Sequence, residues 1–134
     1  MSVKIGAAII LDKEGRLLIC QRPLGKHLAL LWEFPGGKIE VGETAEQCVI
    51  RECKEELDAD IEVCAKYGET SHLYENTAVH IEFFICRITK GEPFNKEHPQ
   101  IKWVNVKELA NYEFCPADKE IIEKLSQGDL GAVK

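Results

Sequence analysis

Thr44-Ala-Glu-Gln47 is a capping box, an N-cap threonine with a glutamine three residues on, and it starts a helix whose two faces differ. Glu43 and Glu46 suit the positive end of that helix. Ala45, Cys48, Val49 and Cys53 recur at helical spacing and form its apolar stripe. Glu52, Glu55 and Glu56 fall at the edge of the stripe, at spacings of three and four that set their Cβ atoms roughly 5–6 Å apart. Repulsion on an exposed helix costs only about 0.2–0.5 kcal/mol per pair, so crowding alone does not demand a function. The setting adds to it: a Gly36-Gly37 turn precedes the helix, and Arg51 stands directly beside the carboxylates. Mg²⁺ is commonly held by one or two carboxylates together with substrate phosphates. The segment therefore reads as a site for metal-dependent phosphate chemistry, against the alternative of a solvated helix face.

Around this helix the pattern is mostly strands. Val3 to Leu11 reads as a buried strand, Asp12 to Gly15 as a turn, and Arg16 to Gln21 as a returning strand, which together predict a hairpin. Pro23 to Leu31 is irregular, and Trp32 to Gly37 is a short extended segment broken by Pro35 and two glycines. Ile61 to Ser71 and Val79 to Thr89 read as strands flanking a polar tip at Glu75-Asn-Thr77, the second apolar enough to be central in its sheet. Gly91 to Pro99 is a loop, Ile101 to Val104 a short strand, and Ala117 to Ser126 an amphipathic helix with Ile121, Ile122 and Leu125 inward. The last eight residues are expected to fray. Strands around one middle and one terminal helix fit an α/β (α+β) sandwich, and 134 residues without a linker or repeat fit one domain, 1–134.

Charge narrows the partners. A net charge of −6 argues against a duplex nucleic-acid binder, though not against a nucleotide, because bound metal reverses the local field. The six cysteines include no C-x-x-C pair and lie largely in apolar stretches, as buried reduced thiols do. No signal-peptide pattern precedes the first strand and no apolar run approaches 18 residues, so no membrane partner and a cytoplasmic residence are expected.

Gly37 to Ala59 resembles the Nudix box, G-x5-E-x7-R-E-U-x-E-E-x-G-U with U aliphatic: Gly37, Glu43, Arg51, Glu52, Glu55 and Glu56 are in register. Cys53 and Ala59 stand where aliphatics are usual, and Asp58 replaces the glycine that ends the helix with φ > 0. Aspartate tolerates that conformation better than most residues, so a shifted helix end is expected rather than a broken site. The resemblance implies a mixed sheet sandwiched between helices. It also implies Mg²⁺ as cofactor, with Mn²⁺ an alternative, and Glu52, Glu55 and Glu56 as ligands with the carbonyl of Gly36. Arg51 and Glu43 would form a supporting ion pair.

Similarity extends to the MutT-like branch. Trp32-Glu-Phe-Pro-Gly-Gly-Lys38 matches the run into the box, and Gln21-Arg22 a basic position at a strand end. Arg22 and Lys38 would then meet phosphates, Arg22 through its fork and Lys38 as a point charge. Asn95-Lys-Glu97 matches a loop that implies Glu97 as a further metal ligand or general base, with a solvated loop glutamate as the alternative. Phe114-Cys-Pro-Ala-Asp118 resembles the base-reading segment, where MutT itself carries asparagine and the cytidine triphosphate subgroup Pro-Ala-Asp. Ionised, Asp118 only accepts hydrogen bonds and suits an exocyclic amine; protonated, it can pair with an oxidised guanine edge. It is also placed to cap the last helix. Phe34, Leu73, Tyr74 and His80 are candidate walls for the base, against the alternative that the aromatics belong to the core, and His80 is not a catalytic candidate.

These features imply a nucleoside triphosphate pyrophosphohydrolase, acting on 8-oxo-dGTP or on cytidine nucleotides and releasing a monophosphate and pyrophosphate. The alternatives are a hydrolase of a nucleoside diphosphate derivative such as ADP-ribose, and a catalytically silent nucleotide-binding module.

Overall fold

The computed structural model describes residues 2–128. Its elements run β1 (Ser2–Ile10), β2 (Leu17–Gln21), β3 (Trp32–Glu33), β4 (Gly36–Lys38), α1 (Ala45–Leu57), β5 (Asp60–Tyr74), β6 (Thr77–Lys90), β7 (Ile101–Val104) and α2 (Lys119–Ser126). Two 3-10 turns, Val106–Asn111 and Pro116–Asp118, lie between β7 and α2.

Four strands form one sheet in the order β4-β1-β6-β5, and three form a second in the order β3-β2-β7. β1 and β6 run parallel while the other pairs are antiparallel, so the larger sheet is mixed. Ala7 to Ile10 are all buried because both faces of β1 are covered. Ala8, Ile10, Phe84 and Cys86 join Val49, Cys53 and Leu57 of α1 on one face. Ala7, Ile9, Ile81, Phe83 and Ile85 join Ile121 and Leu125 of α2, with Leu109 and Phe114, on the other. Leu57, Phe83 and Leu125, each at or near complete burial, contribute about 1.5–3 kcal/mol apiece to holding these layers together. The mixed sheet between helices is as expected, with Phe83 and Ile85 on its central strand.

The predicted hairpin is corrected. Asp12 builds the turn, its side chain accepting from the backbone N–H of Glu14 (2.9 Å) and Arg16 (2.8 Å). Beyond it a single bridge, Leu11 to Leu17, joins the strands, which then enter different sheets. Both edges of β1 are already taken, by β4 and by β6, so β2 pairs with β3 and β7 instead.

Thr44 caps α1 as expected: its side chain accepts from Gln47 N–H, and the Gln47 side chain accepts from Thr44 N–H at 2.9 Å. Asp58 ends the helix in the left-handed region at φ 51°, its N–H reaching the carbonyls of Cys53 and Lys54. Aspartate thus does the work of the box glycine at that position, and the helix end is not displaced. The last helix starts two residues later than expected, because Pro116–Asp118 is a 3-10 turn. Apart from Gln127 and Gly128, the expected frayed end lies outside the described residues. Among the described residues no helix is long and apolar enough to cross a membrane.

Candidate functional site

Two glycines on β4 allow the helix to sit where it does. A Cβ on Gly36 would meet the Gly6 carbonyl oxygen at 2.1 Å, so Gly36 serves the close pairing of β4 with β1. A Cβ on Gly37 would meet the Glu52 carboxyl carbon at 2.4 Å, so Gly37 is the floor on which that carboxylate rests. Gly36 itself abuts β1, and it is its neighbour Gly37 that touches the carboxylate cluster.

Arg51 is the hub. Its Nε and Nη2 donate to the two oxygens of Glu43 at 2.7 and 2.9 Å, a two-pronged pair. Nη1 donates to Glu52 at 2.9 Å and to Glu55 at 3.2 Å, and Nη2 also reaches the Lys38 carbonyl at 3.1 Å. The Arg51 guanidinium, with help from the Glu40 N–H, holds the Glu43 carboxyl down to about 2. Arg51 is thereby clamped from the loop side while its remaining arm spans two carboxylates.

The third carboxylate behaves differently. Glu56 is only 4% exposed, and burial pushes its carboxyl well above the ordinary range; the His98 bond opposes this and neighbouring Glu52 adds to it. Two carboxylates brought together, one of them buried, are an oxygen-only donor set that the single Arg51 contact to Glu52 and the His98 contact to Glu56 leave with unshared lone pairs. A hard divalent cation takes such lone pairs, so the residues fit one. Among the described residues no three acidic, histidine or cysteine side chains are gathered closely enough to hold a metal ion by themselves, so substrate phosphates or backbone carbonyls would have to complete the set. Glu55, half-exposed, is turned to Arg51.

Glu97 is exposed, and the loop carrying it touches the cluster through its neighbours. Lys96 N–H donates to the Glu56 carbonyl at 3.1 Å, and His98 Nε2 lies 2.8 Å from Glu56 Oε1. His98 is the residue that sequence reasoning missed. It stands next to the expected carboxylate, but 42 positions separate it from Glu56, and only the fold joins them. Burial lowers the His98 imidazole, but the Glu56 contact outweighs it and the net shift is upward.

The base-reading candidates gather on the α2 face. The segment hangs on β3, with Cys115 N–H donating to the Trp32 carbonyl and Trp32 N–H to the Glu113 carbonyl, both at 2.9 Å. Thr70 Oγ1 donates to the Ala117 carbonyl, and Ala117 N–H to Tyr74 Oη, both at 2.8 Å. Asp118 is 4% exposed; burial and then Glu33 drive its carboxyl far upward, against the Phe34 N–H and Arg22. Its side chain makes no capping bond to α2, so the expected helix cap is replaced by a buried acid. Phe34 is core, its ring packed edge-on to Phe83 and tilted on Phe114.

Other candidates are elsewhere or otherwise engaged. Arg22 donates through Nε to the His27 carbonyl at 2.8 Å and through Nη1 to Glu33 at 3.0 Å, beside Asp118 rather than the carboxylate cluster. Lys38 is exposed, next to Gly37. Strand alternation sends Leu73 and His80 to the face opposite Thr70 and Tyr74: Leu73 is exposed, and His80 meets Ser71 at 2.9 Å and Glu69 at 3.1 Å. The structure therefore does not bring these two to the Asp118 side.

Known proteins resemble this chain in sequence and fold. Residues 6–124 match the family model described as NUDIX domain. The 8-oxo-dGTP diphosphatase of Escherichia coli is 31% identical over 93% of this chain and 97% of its own length. The CTP pyrophosphohydrolase of Escherichia coli is 31% identical over 90% of this chain and 89% of its own. The solution structure of the E. coli ORF135 protein superimposes with a TM-score of 0.80 at 29% identity, over 94% of this chain and 89% of that one. A capped helix whose carboxylates rest on a glycine floor is thus embedded in a match that spans nearly the whole sequence, and the chain belongs to the NUDIX domain family of hydrolases.

Proposed function

We propose that this chain is a Mg²⁺-dependent nucleoside triphosphate pyrophosphohydrolase that releases a nucleoside monophosphate and pyrophosphate. The observation that carries the reading is the Glu52–Glu56 pair set beside an arginine clamped by Glu43. A divalent cation bound there supplies charge neutralisation and acidifies water. The chain supplies the rest. Glu52 and Glu56 would hold the cation, with Glu55 and the Gly36 carbonyl as further donors. Arg51, fixed by Glu43, keeps the helix face at a set distance from β4. Lys38, exposed beside Gly37, would meet phosphate oxygens, while Arg22 stays with Glu33 near Asp118, and Glu97, on the loop whose Lys96 N–H reaches the Glu56 carbonyl, would be a further ligand or a proton acceptor.

For the base, the reading is 8-oxo-dGTP first. The environment of Asp118 favours its protonated form, which donates through O–H and accepts through C=O as an asparagine side chain does. Such a group matches the carbonyl and adjacent N–H of a guanine-type edge. It also matches the ring nitrogen and amine of cytosine, and the likeness to a CTP pyrophosphohydrolase favours cytidine triphosphates as the second reading. The test is a panel of ordinary and oxidised NTPs and dNTPs with Mg²⁺, scored for pyrophosphate and monophosphate. Release that disappears in Glu55→Gln supports the reading. Inorganic phosphate as the product, or release unchanged in that variant, contradicts it.

A further inference from the structure

We propose that His98 is a positioning residue for Glu56, holding one carboxylate oxygen so that the other is presented to a divalent cation. The role rests on the hydrolase reading above. The ring is gripped at both ends, with Nδ1 3.2 Å from the Gln21 carbonyl and Nε2 2.8 Å from Glu56 Oε1. A carbonyl can only accept, so Nδ1 carries a hydrogen, and to hold an ionised carboxylate, which also only accepts, Nε2 must donate a second ring hydrogen to Oε1. The side chain is 6% exposed, so water does not compete for either contact.

The backbone around the ring is fixed as well. Asn95 donates through Nδ2 to the His98 carbonyl at 2.6 Å and accepts from His98 N–H at 2.9 Å. Phe94 N–H donates to the Leu57 carbonyl at 2.7 Å, which, with the Lys96 bond to Glu56, clips the loop to the end of α1. The imidazole is thus a strut of set length between β2 and the helix. Without it the Glu56 carboxylate is buried with a lone pair unmatched and its rotamer unset.

Two variants separate positioning from mere structure. His98→Gln places its amide nitrogen near the position of Nε2, keeping a donor for Glu56. His98→Asn reaches only as far as Nδ1, keeping the contact to Gln21. The probe is Mn²⁺ alone, titrated by electron paramagnetic resonance without nucleotide. His98→Asn is expected to weaken Mn²⁺ binding about 10–100-fold, and His98→Gln to stay within about threefold of wild type. Wild-type affinity in His98→Asn, or equal losses in both variants, overturns the role. A wild-type protein that takes up no Mn²⁺ contradicts the hydrolase reading instead. In that case the imidazole ¹⁵N shifts still decide the contact: they move in Glu56→Gln if the bond exists, and unmoved shifts overturn the proposal.

Discussion

Replacing Gly37 with alanine separates the site from the fold. The backbone at Gly37 is outside the left-handed region, so alanine meets no conformational penalty there. Its Cβ would lie 2.4 Å from the Glu52 carboxyl carbon, where ordinary van der Waals contact begins at 3.4 Å, so the carboxylate must retreat by about 1 Å. A side-chain end can make that move, and stability should change by less than about 1 kcal/mol. The donor set cannot absorb it, because Arg51 fixes Glu52 from the other side at 2.9 Å. A displacement of that size costs on the order of 100-fold in rate, about 2.7 kcal/mol of transition-state stabilisation. Steady-state pyrophosphate release beside thermal melting reads both quantities. Gly36→Ala is the contrast: its Cβ would strike the Gly6 backbone at 2.1 Å, and the melting midpoint should fall by about 10 °C. A Gly37→Ala enzyme turning over within about threefold of wild type, or one melting as poorly as Gly36→Ala, refutes the reasoning.

Asp118→Asn should stabilise the protein increasingly as pH rises. With its folded pKa raised, Asp118 contributes stability that is fully present below its unfolded value near 3.8 and is lost as pH climbs toward the folded value, a loss asparagine does not share. Urea unfolding at pH 5 and pH 8 checks this, and a difference independent of pH contradicts it. Arg51→Lys removes the two-pronged grip on Glu43 and should lower turnover about 10–100-fold while leaving the circular dichroism of the fold intact. Wild-type stability should rise with Mg²⁺, by about 2.7 kcal/mol at a hundredfold excess over Kd, and EDTA should reverse the gain. Glu56→Gln should show little of this rise yet melt no lower than wild type in EDTA, since a neutral amide relieves a buried carboxylate; differential scanning fluorimetry reads both.

Much of this was legible in the chain because it is local. The capping box, the stripe of Ala45, Cys48, Val49 and Cys53, and the spacing of Glu52, Glu55 and Glu56 all act within two or three turns, where period and side-chain chemistry decide the outcome. At Asp58 only part was readable: aspartate accepts the left-handed conformation, but the helix ends at that position without the expected shift. The hairpin failed because turn chemistry reports the turn and not which edge each strand then seeks. Asp12 turns the chain, but the competition of β4 and β6 for β1 is settled by residues far along the sequence. Leu73 and His80 were misplaced by strand parity, since one residue of offset reverses the face. His98 was invisible because its meaning comes from Glu56 and Gln21, contacts that exist only after β2, α1 and the loop are assembled.

The most direct test of the central claim is the product of triphosphate hydrolysis by the purified chain with Mg²⁺, followed by ³¹P NMR on 8-oxo-dGTP and CTP. The account predicts pyrophosphate and monophosphate in equal amounts, lost on adding EDTA and lost in Glu56→Gln. Orthophosphate with a nucleoside diphosphate, or turnover that survives both treatments, would contradict it.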